Sequence, residues 1–276
     1  MTNLIKRFLR KLINPVQNGD ANHFHNYPFG REPRSSKETY LEIWEKAKKH
    51  HYPMIDQFEN DFGFAIDSRW FHDLALHTQV VIKESEICYQ HGRLLYTFLS
   101  DYLKKNNIDS VNILETGTAR GFSSLCMAKA LQDQVTNGKI LTIDPLPHNV
   151  KMFWNCIDDN EGQKTRAQLL IDYSELINRF IWFIEGKSKD LLNKHELSRI
   201  HFAFLDGSHD YDDLKFEVSY VVSRQQKGDI IFFDDFNHTY FPGIVQAVKE
   251  LEFEGNYSVK VLSANDQRGY AIAEKL

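Results

Sequence analysis

The sequence predicts an α/β protein: a doubly wound, mostly parallel seven-stranded sheet with an antiparallel C-terminal edge strand, plus a helical N-terminal extension. Three observations carry this reading. From Asp109 onward, short β-rich runs alternate with helical segments, the texture of repeated βαβ units around a buried parallel sheet. The last two β segments follow each other directly and pair as a hairpin at one sheet edge. The 276 residues, 42% of them hydrophobic, suffice for one sizeable α/β domain with an extension.

Taken in order, residues 3–13 place Ile5, Phe8, Leu9 and Leu12 on one helical face, with Lys6, Arg7, Arg10 and Lys11 largely elsewhere. This is a short cationic amphipathic helix, interrupted by charge too often for a signal peptide and too short to span a bilayer. It is expected to pack on the domain or on a second subunit of a homo-oligomer; weak contact with a membrane surface is the alternative. Residues 14–36, with Pro15, Gly19, Pro28, Gly30 and Pro33, have the punctuation of a loop. Residues 36–107 read as helical, the longest stretch running from Ala75 through Val80, Val81, Ile87 and Leu94 to Leu99. The division expected is thus a helical extension or lid over 1–107 and the main domain over 108–276.

Within that domain the β runs are Val111–Leu114, Ile140–Ile143, Phe180–Ile184, Ile200–Leu205, Asp229–Phe233, Tyr257–Leu262 and Gly269–Ala273. Helices are expected over Phe122–Gln134, Thr165–Asn178, Lys189–Asn193, Tyr211–Arg224 and Gly243–Glu250. A net charge of −5 gives no general reason to expect a nucleic-acid partner. Cys88, Cys126 and Cys156 are odd in number, widely spaced and outside any C-x-x-C pattern, so the cysteines point to a reducing cytoplasm rather than to a disulfide framework or a zinc site.

The first β run leads into Glu115-Thr-Gly117-Thr-Ala119-Arg-Gly121-Phe-Ser123-Ser124 and then a helix. Glycines let a backbone turn sharply and pass close to a ligand, and the helix start supplies unpaired N–H groups. Ala119 stands where a dinucleotide fingerprint needs glycine, and Glu115 would repel a pyrophosphate while suiting the cationic amino-acid part of S-adenosylmethionine. Asp144 ends the second run, where a carboxylate can accept ribose hydroxyls. Taken singly, Glu115 reads better as a loop-capping group and Asp144 as a helix cap; together, at the ends of adjacent strands, they favour a nucleoside site.

The fourth run ends in Asp206-Gly-Ser-His209 and the fifth in Asp234-Asp235, so both deliver carboxylates to the same sheet edge. Like charges held close raise one another's pKa, and a hard divalent cation such as Mg²⁺ would neutralise them. Such an ion can lower the pKa of a substrate hydroxyl, with His209 as candidate base and Asp206 beside it in the catalytic set. Read alone, His209 is an exposed loop histidine and the aspartate pair a turn with a helix cap. His72 and His77, His23 and His25, and His50 and His51 lack ligand spacing and are expected at the surface or in a lid.

These segments resemble those of class I S-adenosylmethionine-dependent methyltransferases with a Rossmann-like fold, in the metal-dependent O-methyltransferase branch similar to catechol O-methyltransferase, over about residues 109–275. The resemblance implies that Glu115, Gly117, Gly121 and Ser123 surround the methionine and ribose of the cofactor and that Asp144 holds the ribose. It implies Ser188, with Lys187, at the adenine in F-I-E-G-K-S-K-D-L-L (183–192), and Asp206, Asp234 and Asp235 as metal ligands. His209 falls where the catechol enzymes have lysine. The pattern D-G-x-H-x-Y followed by a D-D pair is more like a bacterial branch acting on macrolide and glycan sugars, which implies a glycan or other small-molecule hydroxyl as acceptor. The competing readings are a nucleotide-dependent oxidoreductase or sugar-modifying enzyme on a similar fold, and a non-catalytic binding protein. Tyr27, Phe29, Trp70, Phe71 and Tyr240 are expected to pack rather than to bind, as is the safer reading for aromatics near a pocket.

Overall fold

A computed structural model describes residues 27–194 and 197–276. The amphipathic segment 3–13, most of the loop after it, and His23 and His25 lie outside the described residues.

The described part of the extension includes three short helices whose ends follow from local chemistry. α1 (Lys37–Lys48) starts at Ser36, whose hydroxyl accepts from the Thr39 amide at 3.4 Å. α2 (Pro53–Phe62) has proline in its first turn and stops at Gly63 in the left-handed region. α3 (Ser68–Thr78) is capped by Asp67, which accepts from the Trp70 amide at 2.8 Å.

The continuous helix expected from Ala75 to Leu99 is two pieces. α3 ends at Thr78, residues 79–90 run without helix, and α4 (His91–Asn106) resumes. The β-branched run Val80-Val81-Ile82 disfavours helix, and both backbone polar groups of Ile82 are taken by the Asn155 amide, at 3.0 and 3.1 Å.

The sheet is built of β1 (Ser110–Thr116), β2 (Asn137–Asp144), β3 (Ile181–Glu185), β4 (Phe202–Leu205), β5 (Ile230–Phe233), β6 (Tyr257–Asn265) and β7 (Arg268–Lys275), in the order β3-β2-β1-β4-β5-β7-β6. β1 to β5 are parallel, and β4 and β5 are buried along their whole length, as strands covered on both faces must be. The C-terminal hairpin closes one side of the sheet. Its antiparallel member, β7, lies between β5 and β6 rather than outermost.

α5 (Phe122–Asp133) and α7 (Ser174–Phe180) cover one face together with α2 to α4, and one continuous apolar cluster joins the extension to that face. α9 (Tyr211–Val222) and α10 (Pro242–Phe253) cover the other, over Leu214, Val218, Val221, Ile244 and Leu251, with α8 (Ser188–Leu192) contributing Leu192. The helix expected over 165–178 is broken into α6 (Arg166–Leu169), a 3₁₀ turn (Ile171–Tyr173) and α7, because Leu170 leaves helical geometry where it turns into the core.

Phe29, Trp70 and Phe71 do pack: Phe29 lies 5.9 Å from the Trp154 ring, Trp70 meets Tyr173 edge-on, and Phe71 is in the core. His72 and His77 are half-buried and each is bonded to a neighbour. His72 Nδ1 bonds Tyr89 at 2.9 Å, and His77 pairs with Asp158 at 2.6 Å, fastening α3 to the segment after β2. Cys88, Cys126 and Cys156 are free and buried. Among the described residues no helix is long and apolar enough to cross a membrane.

Candidate functional site

Two groups of side chains meet at the carboxyl ends of the parallel strands, the edge where open α/β sheets bind ligands. The first surrounds the glycine loop between β1 and α5. Gly117 is left-handed, and a Cβ there would sit 2.0 Å from the Asp206 carbonyl oxygen, so only glycine lets the ends of β1 and β4 touch. Ala119 also adopts a positive φ of 44°, taking the backbone shape of the glycine it replaces.

The residues expected around the cofactor lie at this loop, but their side chains are engaged by the protein. Glu115 is fully buried and accepts the hydroxyls of both Ser123 and Ser124. Burial raises its pKa, against the opposing pull of those two hydrogen bonds. Asp144 accepts from the Ala119 amide at 2.8 Å and the Leu146 amide at 2.6 Å, pinning the loop to the end of β2. Gly121 caps α5 under Leu170. Ser188 donates to Glu217 at 2.5 Å, and Lys187 is exposed at the start of α8.

Glu217, on α9, was not singled out in the sequence. It also accepts from Thr116 Oγ1 at 2.9 Å, and burial pushes its pKa up to about 7. The available signal was a lone carboxylate on the apolar face between Leu214 and Val218. Arg166 is a second omission: it lies fully buried, with Nε donating to the Ala119 carbonyl at 3.0 Å.

The second group is the acid cluster. One ligand atom each of Asp206, His209 and Asp235 lie within 4.8 Å of one another. His209 Nε2 is 2.9 Å from Asp235 Oδ2, and the imidazole stacks on Phe241 with ring centroids 4.5 Å apart. Asp235 is itself left-handed, at φ 54°. Asp234 is not in that grouping: its Oδ1 accepts from the Asp235 amide at 2.8 Å, and its Oδ2 is 3.7 Å from Arg268.

Arg268, at the start of β7, makes a short ion pair with Asp235. It too was missed in the sequence, where nothing local distinguishes it from a surface arginine. Burial and the two neighbouring aspartates raise the Asp206 pKa, and burial beside Asp235 pushes Asp234 up to about 7. Burial acts the same way on Asp235, but the His209 bond and the Arg268 charge outweigh it and hold that carboxyl below its usual range.

Residues 114–236, from the end of β1 to just past β5, match the family model described as a methyltransferase domain. This unit is a methyltransferase domain. The matched family is that of a methyltransferase and not of an oxidoreductase.

No curated protein sequence matches the chain. Solved structures share the methyltransferase fold at low identity. An O-methyltransferase from Bacillus cereus in complex with SAH is 14% identical with a TM-score of 0.52, the match covering 87% of this chain and 100% of that one. Cofactor-bound Rv0187 from MTB is 17% identical with a TM-score of 0.53, over 82% of this chain and 98% of the other. The O-methyltransferase TomG from Streptomyces achromogenes, involved in tomaymycin synthesis and in complex with SAM, is 14% identical with a TM-score of 0.50, over 86% and 96%.

Proposed function

We propose that this methyltransferase transfers a methyl group from S-adenosylmethionine to a hydroxyl of a small molecule or glycan, with a divalent cation, Mg²⁺ by its chemistry, at the acid cluster. One observation carries the reading: the Gly117 backbone is pressed against the Asp206 carbonyl, so the glycine loop and the acid cluster share one wall. A methyl donor on the loop would face an acceptor at the cluster.

The donor set fits a hard cation. Asp206 and Asp235 turn ligand atoms toward the same space, and Asp234 stands behind them. A cation bound there supplies Lewis acidity, lowering the pKa of an acceptor hydroxyl. Arg268 lends the cluster a fixed positive charge against Asp235.

His209 is the base in this proposal. With Nε2–H donated to Asp235, Nδ1 is the nitrogen that takes the acceptor's proton, and Asp235 stabilises the imidazolium formed. As the C–S bond of the sulfonium breaks and the C–O bond forms, the proton rests on His209. Glu115 and Asp144 act from behind, Glu115 bracing the α5 start through Ser123 and Ser124, and Asp144 holding the loop and accepting from the ribose.

Titration of S-adenosylhomocysteine by calorimetry, then turnover on glycan and diol acceptors with Mg²⁺ or EDTA, tests this reading. Micromolar binding, with turnover that EDTA removes and Mg²⁺ restores, is the expected result. Absence of heat at about 1 mM ligand, an affinity weaker than roughly −4 kcal/mol, would sink the cofactor assignment. Turnover indifferent to EDTA would sink the metal alone.

A further inference from the structure

Arg166 and His148 lie on the segment between β2 and α7, and neither has a place in the chemistry above. The Arg166 guanidinium is 1% exposed and sits between the rings of Trp154 and Phe183, 5.6 and 5.3 Å from their centroids. Its Nε is spent on the Ala119 carbonyl and one terminal nitrogen meets His148 Nδ1, while its other terminal nitrogen and His148 Nε2 are both buried without a partner.

The chemistry of these two atoms is fixed. Guanidinium nitrogens can only donate; with Nδ1 accepting from Arg166, the neutral imidazole carries its hydrogen on Nε2. Two buried N–H donors on a bonded pair of side chains therefore stand unanswered, an arrangement that costs free energy until acceptor oxygens meet them. The acceptor cannot sensibly be an anion, because Asp144, Glu115 and Glu185 already surround the guanidinium with negative charge. Asp144 also bonds the amide of Ala119, the same residue whose carbonyl Arg166 holds, so acceptor and donors meet at one residue of the glycine loop. Groups that both accept and donate satisfy such a pair of walls, and two neighbouring hydroxyls satisfy it best.

We propose that Arg166 and His148 are cofactor-positioning residues whose unpaired donors receive the ribose hydroxyl oxygens, while the hydroxyl hydrogens go to Asp144. The proposal rests on the S-adenosylmethionine reading above.

Calorimetric titration with S-adenosylhomocysteine and its 2′-deoxy and 3′-deoxy analogues, on the full chain, tests this. Wild type is expected to prefer the intact ribose by about 10-fold or more, on the scale of a hydrogen bond from a charged donor. Arg166→Met is expected to lose that preference: it weakens the intact ligand by about 10-fold while leaving the deoxy analogues within about 3-fold of wild type.

A purely structural role for Arg166, bracing Ala119, would weaken all three ligands equally and would overturn the proposal, as would unchanged binding. His148→Phe keeps a ring at a half-buried position and repeats the comparison should Arg166→Met not fold. Wild-type binding with no ribose preference refutes the proposal and leaves the cofactor standing. No wild-type binding to any of the three refutes both.

Discussion

The two halves of the site treat their acids in opposite ways. Around the glycine loop, Glu115, Asp144 and Glu217 are each answered by protein donors: two serine hydroxyls, two amides, and the hydroxyls of Thr116 and Ser188. At the ends of β4 and β5, Asp206 and Asp235 share one space with the His209 imidazole, with Asp234 and the Arg268 guanidinium beside them. A carboxylate whose lone pairs are filled from within supports the fold. Carboxylates held against their mutual repulsion store a demand for something from outside. On the proposed reading the loop half holds the methyl donor and the cluster half is where the chemistry takes place.

The strongest way to break this contrast is Asp206→Asn. It is expected to cut kcat by about 10³-fold while leaving S-adenosylhomocysteine affinity within about 3-fold, the pattern of an interaction made only in the transition state. Melting temperature should hold or rise, because one of three repelling charges is gone. A large loss of stability instead would mean that Asp206 belongs with the structural acids.

Asp144→Ala should behave in the reverse manner. Two amide partners lose their acceptor and the loop its tie to β2, so stability falls and S-adenosylhomocysteine binding weakens by about 100-fold, read by thermal melts and calorimetry. Equal melting temperatures for mutant and wild type would contradict the assignment.

The smallest effect concerns Glu217 and pH. Its folded pKa of about 7 lies above its ordinary value of 4.5, so the folded state binds this proton more tightly than the unfolded chain. That contribution to stability is full below about pH 4.5 and is lost as pH rises toward 7. Glu217→Gln removes the titration and can still bond Thr116 and Ser188. Denaturant melts across this window should show the variant gaining on wild type by roughly 3 kcal/mol at the upper end. A constant difference between the two would show that burial does not hold the proton on Glu217.

Much of this architecture was legible in the sequence because it is local. The seven β runs and the start of α5 follow from short apolar stretches and the glycines after them, and they fall within a few residues of the observed elements. Asp206 and Asp235 were legible for the same reason: each follows a buried strand whose end fixes the edge it reaches.

What sequence did not reveal depends on residues far apart in the chain. The break between α3 and α4 is held by Asn155, some seventy positions later. Arg268 acquires its role only because β7 enters beside β5, and Arg166 only because its segment folds back over Ala119. That the Asp234 carboxylate turns to the Asp235 amide rather than joining Asp206, His209 and Asp235 is a matter of angles rather than of spacing.

The antiparallel course of β7 brings its first residue, not its last, to the edge that carries the acid cluster, and places the strand between two others that precede it in the chain. On the ribosome this imposes a waiting time. Until residues 268–275 emerge, Ile230-Ile231-Phe232-Phe233 has an open flank and β6 has no strand to join. An open apolar strand edge invites pairing with other chains. A chain ending at Asn265 should therefore sediment as aggregate where the longer chain stays in solution, and the moment that ends this exposure is the one that delivers Arg268 to Asp235: the nascent protein ceases to be sticky and completes its acid cluster in a single event.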